Sequence, residues 1–328
     1  MLFRNRNSRE HRRRRSPRSW RRRVAGLAAA ALALSLVQAN IGNAAGDRAA
    51  AGIAPGAAAD VVRVAEFLAE CPFTHRAPDD PIVFPGLPGA SHMHSFFGND
   101  TTNGNSDLES LENGRTSCSP ETDLSSYWVP TLYDGDREVE PTGTTFYYLG
   151  EGVRDDIIRQ IQPFPRGLRI VAGNAKAAGP QENTIARWSC LHAGHVDPSQ
   201  DFVNCPPGTM LESYLDFPQC WNGTDLDSAD HKSHMAYPVA GACPSTHPVP
   251  VPKLRQVLRY PVNGDPARFR LASGAGYTMH GDFFNVWPEE ELAQRVRDCI
   301  NAIVKCGFDG TPLSLRQECS GDAPVMCR

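Results

Sequence analysis

The sequence predicts a mainly β, disulfide-bonded fold: a sandwich or jelly-roll-like single domain with one helix near the C-terminus. Three observations predict it. Short runs of β-branched and aromatic residues recur between proline and glycine punctuation, all ten cysteines lie from Cys71 onward, and a clear helical apolar period begins only after Pro288.

The chain opens with an arginine-dense stretch (Arg12 to Arg15, Arg18, Arg21 to Arg23), an apolar run from Val24 to Val37, and small residues at Asn43-Ala44-Ala45. That is the layout of a secretory signal peptide over residues 1–45, and the 14-residue apolar run falls short of the roughly 20 residues a membrane span needs. A secreted, extracellular protein without a stable membrane span is expected. Residues 46–60 read as a flexible Ala/Gly-rich leader, and 61–328 as one β-rich domain carrying a histidine-lined cleft.

Within that domain a short helix is expected from Val61 to Leu68. Strands are expected at Tyr127–Tyr133, Thr144–Leu149, Leu168–Ala172, Thr184–Cys190, Met210–Phe217, Lys253–Tyr260 and Phe269–Ala272. The apolar run from Gly167 to Gly173 reads as a central strand, whereas Lys253–Tyr260 partly alternates, as a half-buried strand does. Pro85–Gly89 and Asn103–Asn105 are turn chemistry. The helix after Pro288 has Glu289 to Glu291 at its positive end, shares a face among Leu292, Val296, Cys299 and Ile303, and should stop at Gly307.

Residues 1–45 hold 11 of the 33 basic residues and one acid, so their removal leaves 22 basic against 36 acidic residues. A net charge near −14 repels a phosphate backbone, which excludes nucleic acid as a partner on composition. An even cysteine number in an exported chain reads as disulfides. Closeness in sequence suggests Cys190 with Cys205, Cys220 with Cys243, and two bridges among Cys299, Cys306, Cys319 and Cys327. No Cys-x-x-Cys spacing occurs, so a thiolate metal site is not expected.

The segments Pro81–Gly86, Ser91-His92-Met93-His94-Ser95-Phe96-Phe97-Gly98-Asn99, Tyr127–Tyr133, Gly167–Arg169, Phe217–Gly223, Asp230-His231-Lys232-Ser233-His234-Met235-Ala236-Tyr237-Pro238 and His280-Gly281-Asp282-Phe283-Phe284-Asn285 carry a resemblance. Together, in order from about Pro81 to Cys299, they resemble the secreted domain-of-unknown-function family numbered nineteen-ninety-six, of actinobacteria and fungi. The resemblance implies no particular activity. Fungal members are often fused to WSC modules, thought to bind wall glycans, which makes a cell-wall or extracellular glycan a plausible partner by analogy.

The residues themselves point to a histidine site. His92 and His94 alternate along an extended segment and so project the same way. With His234 and His280 they form a candidate set for one divalent metal, zinc or copper, and imidazole suits either. His231 is a further candidate. Asp282 and Asp230 could orient a histidine or act as base, while Lys232 and Arg169 could stabilise negative charge. Asn99 and Trp221 are candidate substrate contacts, Trp221 as a sugar platform.

Alternatives stay open at this point: metal-free acid–base catalysis by the same groups, a polar cleft that only binds, or histidines satisfied in separate turns. Serine-nucleophile and phosphate-loop chemistry lack their motifs. The expected function is a hydrolase or lyase acting on an extracellular or cell-wall polysaccharide. The alternative is a non-catalytic carbohydrate- or metal-binding protein. Phe96, Phe97, Phe283 and Phe284, which follow the histidines in parallel fashion, are expected to pack them in place.

Overall fold

The computed structural model describes residues 64–191 and 198–313. The expected signal peptide and leader, and with them His192, His195, Cys319 and Cys327, lie outside the described residues.

Strands appear in the order β1 (Glu66–Glu70), β2 (Phe73–Ala77), β3 (His94–Gly98), β4 (Ser126–Pro130), β5 (Leu132–Asp134), β6 (Arg137–Val139), β7 (Gly143–Leu149) and β8 (Arg169–Gly173). They continue as β9 (Ala186–Leu191), β10 (Met210–Asp216), β11 (Cys220–Trp221), β12 (Met235–Ala236), β13 (Val249–Pro250), β14 (Lys253–Tyr260), β15 (Phe269–Leu271) and β16 (His280–Phe284). Two five-stranded sheets dominate, ordered β1-β7-β14-β10-β9 (the front sheet) and β2-β3-β4-β16-β8 (the back sheet), with every pairing inside them antiparallel. Two three-stranded sheets, β12-β11-β13 and β15-β5-β6, complete the set.

The large sheets pack face to face. Tyr127 of β4 stacks on Phe146 of β7 at 3.9 Å, and Phe283 of β16 meets Tyr148 of β7 edge-on at 6.4 Å between ring centroids. This is a β-sandwich core with aromatic pairs as its filling. Strand alternation sorts the back sheet cleanly: Phe97, Tyr127, Ile170, Ala172 and Phe283 face the front sheet. Phe96, Trp128, Val171 and Phe284 face the other way, into a second cluster with Ile82, Leu111 and Val286. Both faces of the back sheet are therefore dry, which explains why β3, β4 and β16 are buried along their whole length.

The β content, the bridges Cys190–Cys205 and Cys220–Cys243, and the late helix agree with expectation; Cys71–Cys118 and Cys299–Cys306 complete the described disulfides. The strand Lys253–Tyr260 lies where expected. The helix α3 (Glu289–Arg295) continues as a π-helical turn, Val296–Asn301, so it ends short of Gly307. Two shorter helices were not expected, α1 (Leu108–Glu112) and α2 (Asp155–Ile158).

Two expectations are corrected. Residues from Glu66 form β1 and not a helix, because Phe67 and Ala69 alternate into the core and the segment gains a full antiparallel ladder with β7. The run Arg169–Gly173 is an edge strand and not a central one. It reads as apolar because the second cluster covers its outward face at Val171.

Candidate functional site

The site is built on the outward face of the back sheet. His94 opens β3 and His280 opens β16, with β4 between them. His94 pairs with Pro130, and continuing the β16–β4 register from Asp282–Trp128 brings His280 opposite the same proline. Pro130 has no N–H to give, so the ladder to β16 lapses there, and the two imidazoles meet across the proline. His92, two residues ahead of His94 and projecting to the same side, closes the group.

The nitrogen geometry is specific. His92 Nε2 lies 3.1 Å from His280 Nε2, and His94 Nε2 lies 3.4 Å from it. His94 Nδ1 donates to the Asp79 carbonyl at 2.9 Å, and His280 Nδ1 donates to the Thr278 carbonyl at 2.9 Å. A carbonyl only accepts, so both rings carry their proton on Nδ1. Burial, reinforced by the neighbouring imidazoles, holds His94 well below the usual histidine range; burial also lowers His92 and takes His280 to about 3. The rings are neutral, and Nε2 of His94 and of His280 are bare lone pairs aimed at each other. No placement of protons on neutral rings turns the 3.4 Å contact into a hydrogen bond.

A cation held between them would resolve the conflict. Tetrahedral ligands at the Zn–N distance stand about 3.3–3.4 Å apart, and a more acute arrangement brings them closer. His92, His94 and His280 could therefore hold one metal ion, their ligand atoms all lying within 4.8 Å of one another. The Nδ1–carbonyl bonds are what fix the tautomer and ring orientation of such ligands.

Beside this triad lies a carboxyl pair. Oxygens of Asp80 and Asp282 fall within 4.8 Å of one another and of a His94 nitrogen. Asp282 has no solvent exposure, and neither of its oxygens has a hydrogen-bond partner. Burial, with the like charge of Asp80 added, raises Asp282 well above the usual carboxylate range. Asp80 accepts from the Ile82 and Val83 amides at 3.1 and 2.9 Å, yet burial still raises it to about 6. Lys232 supplies the nearby positive charge acting on Asp282 and His280, while its Nζ donates to the Gly173 carbonyl. His92 and Lys232 are the members that reach solvent.

The remaining group of this kind, Cys71, Cys118 and Asp123, offers no thiolate, because its sulfurs form a disulfide.

Of the residues selected from sequence, the fold thus brings together His92, His94, His280, Asp282 and Lys232. It does not bring His234 to them. His234 is fully buried with Nε2 donating to the Arg169 carbonyl at 2.7 Å and Nδ1 engaged by Ser228 Oγ at 2.9 Å, which leaves no nitrogen for a metal. Asp230 accepts from Ser228 Oγ and from the Lys232 and Ser233 amides, bonds that hold its carboxyl far below the usual range. It shapes the turn that carries Lys232. His231 pairs with Asp227 at 3.0 Å. Arg169 lies 3.7 Å from Asp227, with its guanidinium 4.7 Å over the Phe284 ring.

Asn99 is corrected from a substrate contact to a loop brace: it is fully buried and donates to the Leu111 and Leu124 carbonyls. Trp221 belongs to the small β12-β11-β13 sheet, packs partly against the core and donates its indole N–H to the Asp225 carbonyl. Trp128, Trp188 and Trp287 are core residues. Phe96 and Phe284 line the histidine face, while Phe97 and Phe283 lock its sheet to the other one.

Sequence reasoning missed Asp79, Asp80 and Asn183. Asn183, buried, donates to the Tyr277 and Met279 carbonyls and so fixes the segment leading into His280. The doublet Asp79-Asp80 just before Pro81 was a visible signal; nothing near Asn183 in the sequence was.

The molecule is thus a β-sandwich protein with a buried three-histidine centre beside a carboxyl pair. The chain belongs to the family described as Domain of unknown function (DUF1996), matched over residues 80–287. That span takes in His92, His94, His280, Asp80, Asp282 and Lys232. No curated protein and no solved structure matches the chain.

Proposed function

We propose that the protein is an exported, metal-dependent hydrolase or lyase of an extracellular or cell-wall polysaccharide, with one zinc or copper ion held by His92, His94 and His280. The observation that carries the reading is the convergence of three neutral imidazoles: His92 Nε2 lies 3.1 Å from His280 Nε2, and the 3.4 Å contact between the bare Nε2 atoms of His94 and His280 is one that no proton on a neutral ring satisfies. A bound ion would polarise a substrate oxygen or lower the pKa of a bound water toward roughly 7. Asp80 and Asp282, beside the histidines, would give or take a proton, and Lys232 would stabilise developing negative charge. Export is supported by the arginine-rich, apolar start of the sequence and by the four described disulfides. Among the described residues no helix is long and apolar enough to cross a membrane. The glycan rests on the family's association with wall-binding modules.

Elemental analysis of the secreted, untagged protein tests the centre. Near-stoichiometric zinc or copper, lost in His92→Ala/His94→Ala, is expected; no metal in the native protein after reconstitution overturns the reading. The second reading, a metal-binding protein without turnover, is favoured if Asp282→Asn keeps the metal and no native activity exists to lose. For an enzyme, the same variant keeps the metal and loses turnover by about a hundredfold or more.

A further inference from the structure

The outward face of the front sheet, across the sandwich from the histidines, carries a second built surface. A cavity of about 820 Å³ runs over β1, β7, β14 and β10 and is walled by α2 and Ile303. Its floor is Val257, and two tyrosines stand over it, Tyr147 on β7 and Tyr214 on β10. Tyr147 lies opposite Arg255 of β14 and Tyr214 opposite Val257, so the rings flank β14 on its two sides, offset by two residues along it. Strand spacing and rise place their backbones roughly 12 Å apart. Both residues are half-buried, and the Tyr214 hydroxyl donates to Glu212.

Between the rings the polar groups are already cross-braced. Arg255 binds Asp216 at 3.1 Å and Glu151 at 3.2 Å, and Arg259 binds Glu212 at 2.9 Å. Four acids and three arginines line the cavity, so its charge nearly cancels. Such a surface gives a polyanion or a polycation no net attraction. It offers flat apolar rings and fixed donors and acceptors, the combination that matches a neutral ligand with apolar ring faces and many hydroxyls. Arg259 also borders a second cavity, of about 440 Å³, between the β1–β2 junction and the segment that leads into β7.

We propose that this face binds a neutral polysaccharide chain, stacked on Tyr147 and Tyr214 and hydrogen-bonded by Arg255 and Arg259, so that the protein is tethered to polymer on one sheet while the histidine centre lies on the other. The choice of glycan rests on the extracellular-polysaccharide reading above; the groove itself shares no residue with the metal centre.

The test is retention of the full secreted protein on insoluble cellulose, chitin and β-1,3-glucan. The native protein is expected to be retained on at least one of them, and Tyr147→Ala/Tyr214→Ala to bind about tenfold more weakly or worse. Tyr147→Phe/Tyr214→Phe, which keeps both rings, is expected to be retained, and each alanine single variant to lose part of the binding. Metal content of the alanine variants, equal to that of the native protein, shows that the fold and the other centre are intact. Absence of retention on all three polymers, or equal retention of the alanine and native proteins, overturns the proposal whatever the metal analysis shows.

Discussion

Asp123 and His234 show how far a single side chain's surroundings change its meaning. Asp123 is completely buried; it accepts from Tyr127 Oη at 2.6 Å and from the Ser125 amide at 3.0 Å. Burial outweighs those bonds and lifts its pKa from 3.8 to about 6. Between those values the unfolded chain has released the proton that the folded protein still holds, so stability falls as pH rises through that window and is level above it. Relative to Asp123→Asn, which cannot titrate, the native protein should lose up to about 3 kcal/mol between pH 4 and pH 6. Urea unfolding of both proteins at several pH values measures this, and a constant difference across the window would sink it. His234 and His280 give a paired expectation. His280→Gln should empty the metal site, whereas His234→Gln should keep the metal and lose stability only, by about 1–3 kcal/mol for the buried bonds it disturbs. Metal loss in both would mean that His234 supports the centre more directly than its bonds indicate.

At the level of elements, the site depends on how β16 is held between β4 and β8. Gly173 ends β8 at φ +86°, and an added Cβ would stand 2.5 Å from the Met279 carbonyl oxygen and 2.7 Å from His280 Cα. These are backbone atoms of the segment that carries His280, and they have no side-chain freedom with which to yield. Gly173→Ala should therefore cost about 2–3 kcal/mol and shift His280 enough to weaken metal binding at the same time. Denaturation with and without added zinc tests both halves. A stability loss with unchanged metal affinity would show that the ligand geometry tolerates movement of β16. The sequence announced much at this scale. Lys253–Tyr260 could be read as a strand because it pairs on both sides and alternates, and the histidine pair because alternation survives outside regular structure. The segment from Val61 misled because a few apolar residues fit either period; only the ladder to β7 decides between them.

For the molecule as a whole, the bridge between Cys71 and Cys118 closes a loop 47 residues long that contains Asp79, Asp80, His92 and His94. The chain-entropy account of cross-links gives about 4 kcal/mol for a loop of that size. Cys71→Ala/Cys118→Ala should lose stability of that order, and its zinc affinity should fall with it because His92, His94 and the Asp79 carbonyl that orients His94 lie inside the loop. Metal itself stabilises by mass action, by about 4 kcal/mol at a thousandfold excess over Kd. A chelator should accordingly lower the thermal midpoint of the native protein and leave His92→Ala/His94→Ala unmoved. An identical response of the two would argue against a specific ion.

The sequence by itself determined the β-rich class, the late helix and the shared direction of His92 and His94, and it suggested the two short-range bridges. Each of these is a local property, set by residue periodicity or by short separations along the chain. Only the tertiary structure decided that His280 joins the pair, that His234 spends both nitrogens on bonds of its own, and that Asp80 faces Asp282. Those outcomes depend on strand order and register: β4 lies between β3 and β16, and Pro130 sits where two imidazoles can meet across it. Periodicity tells which face of a strand a side chain occupies. It carries no information on which strand lies beside it, and that neighbour relation is what makes a site.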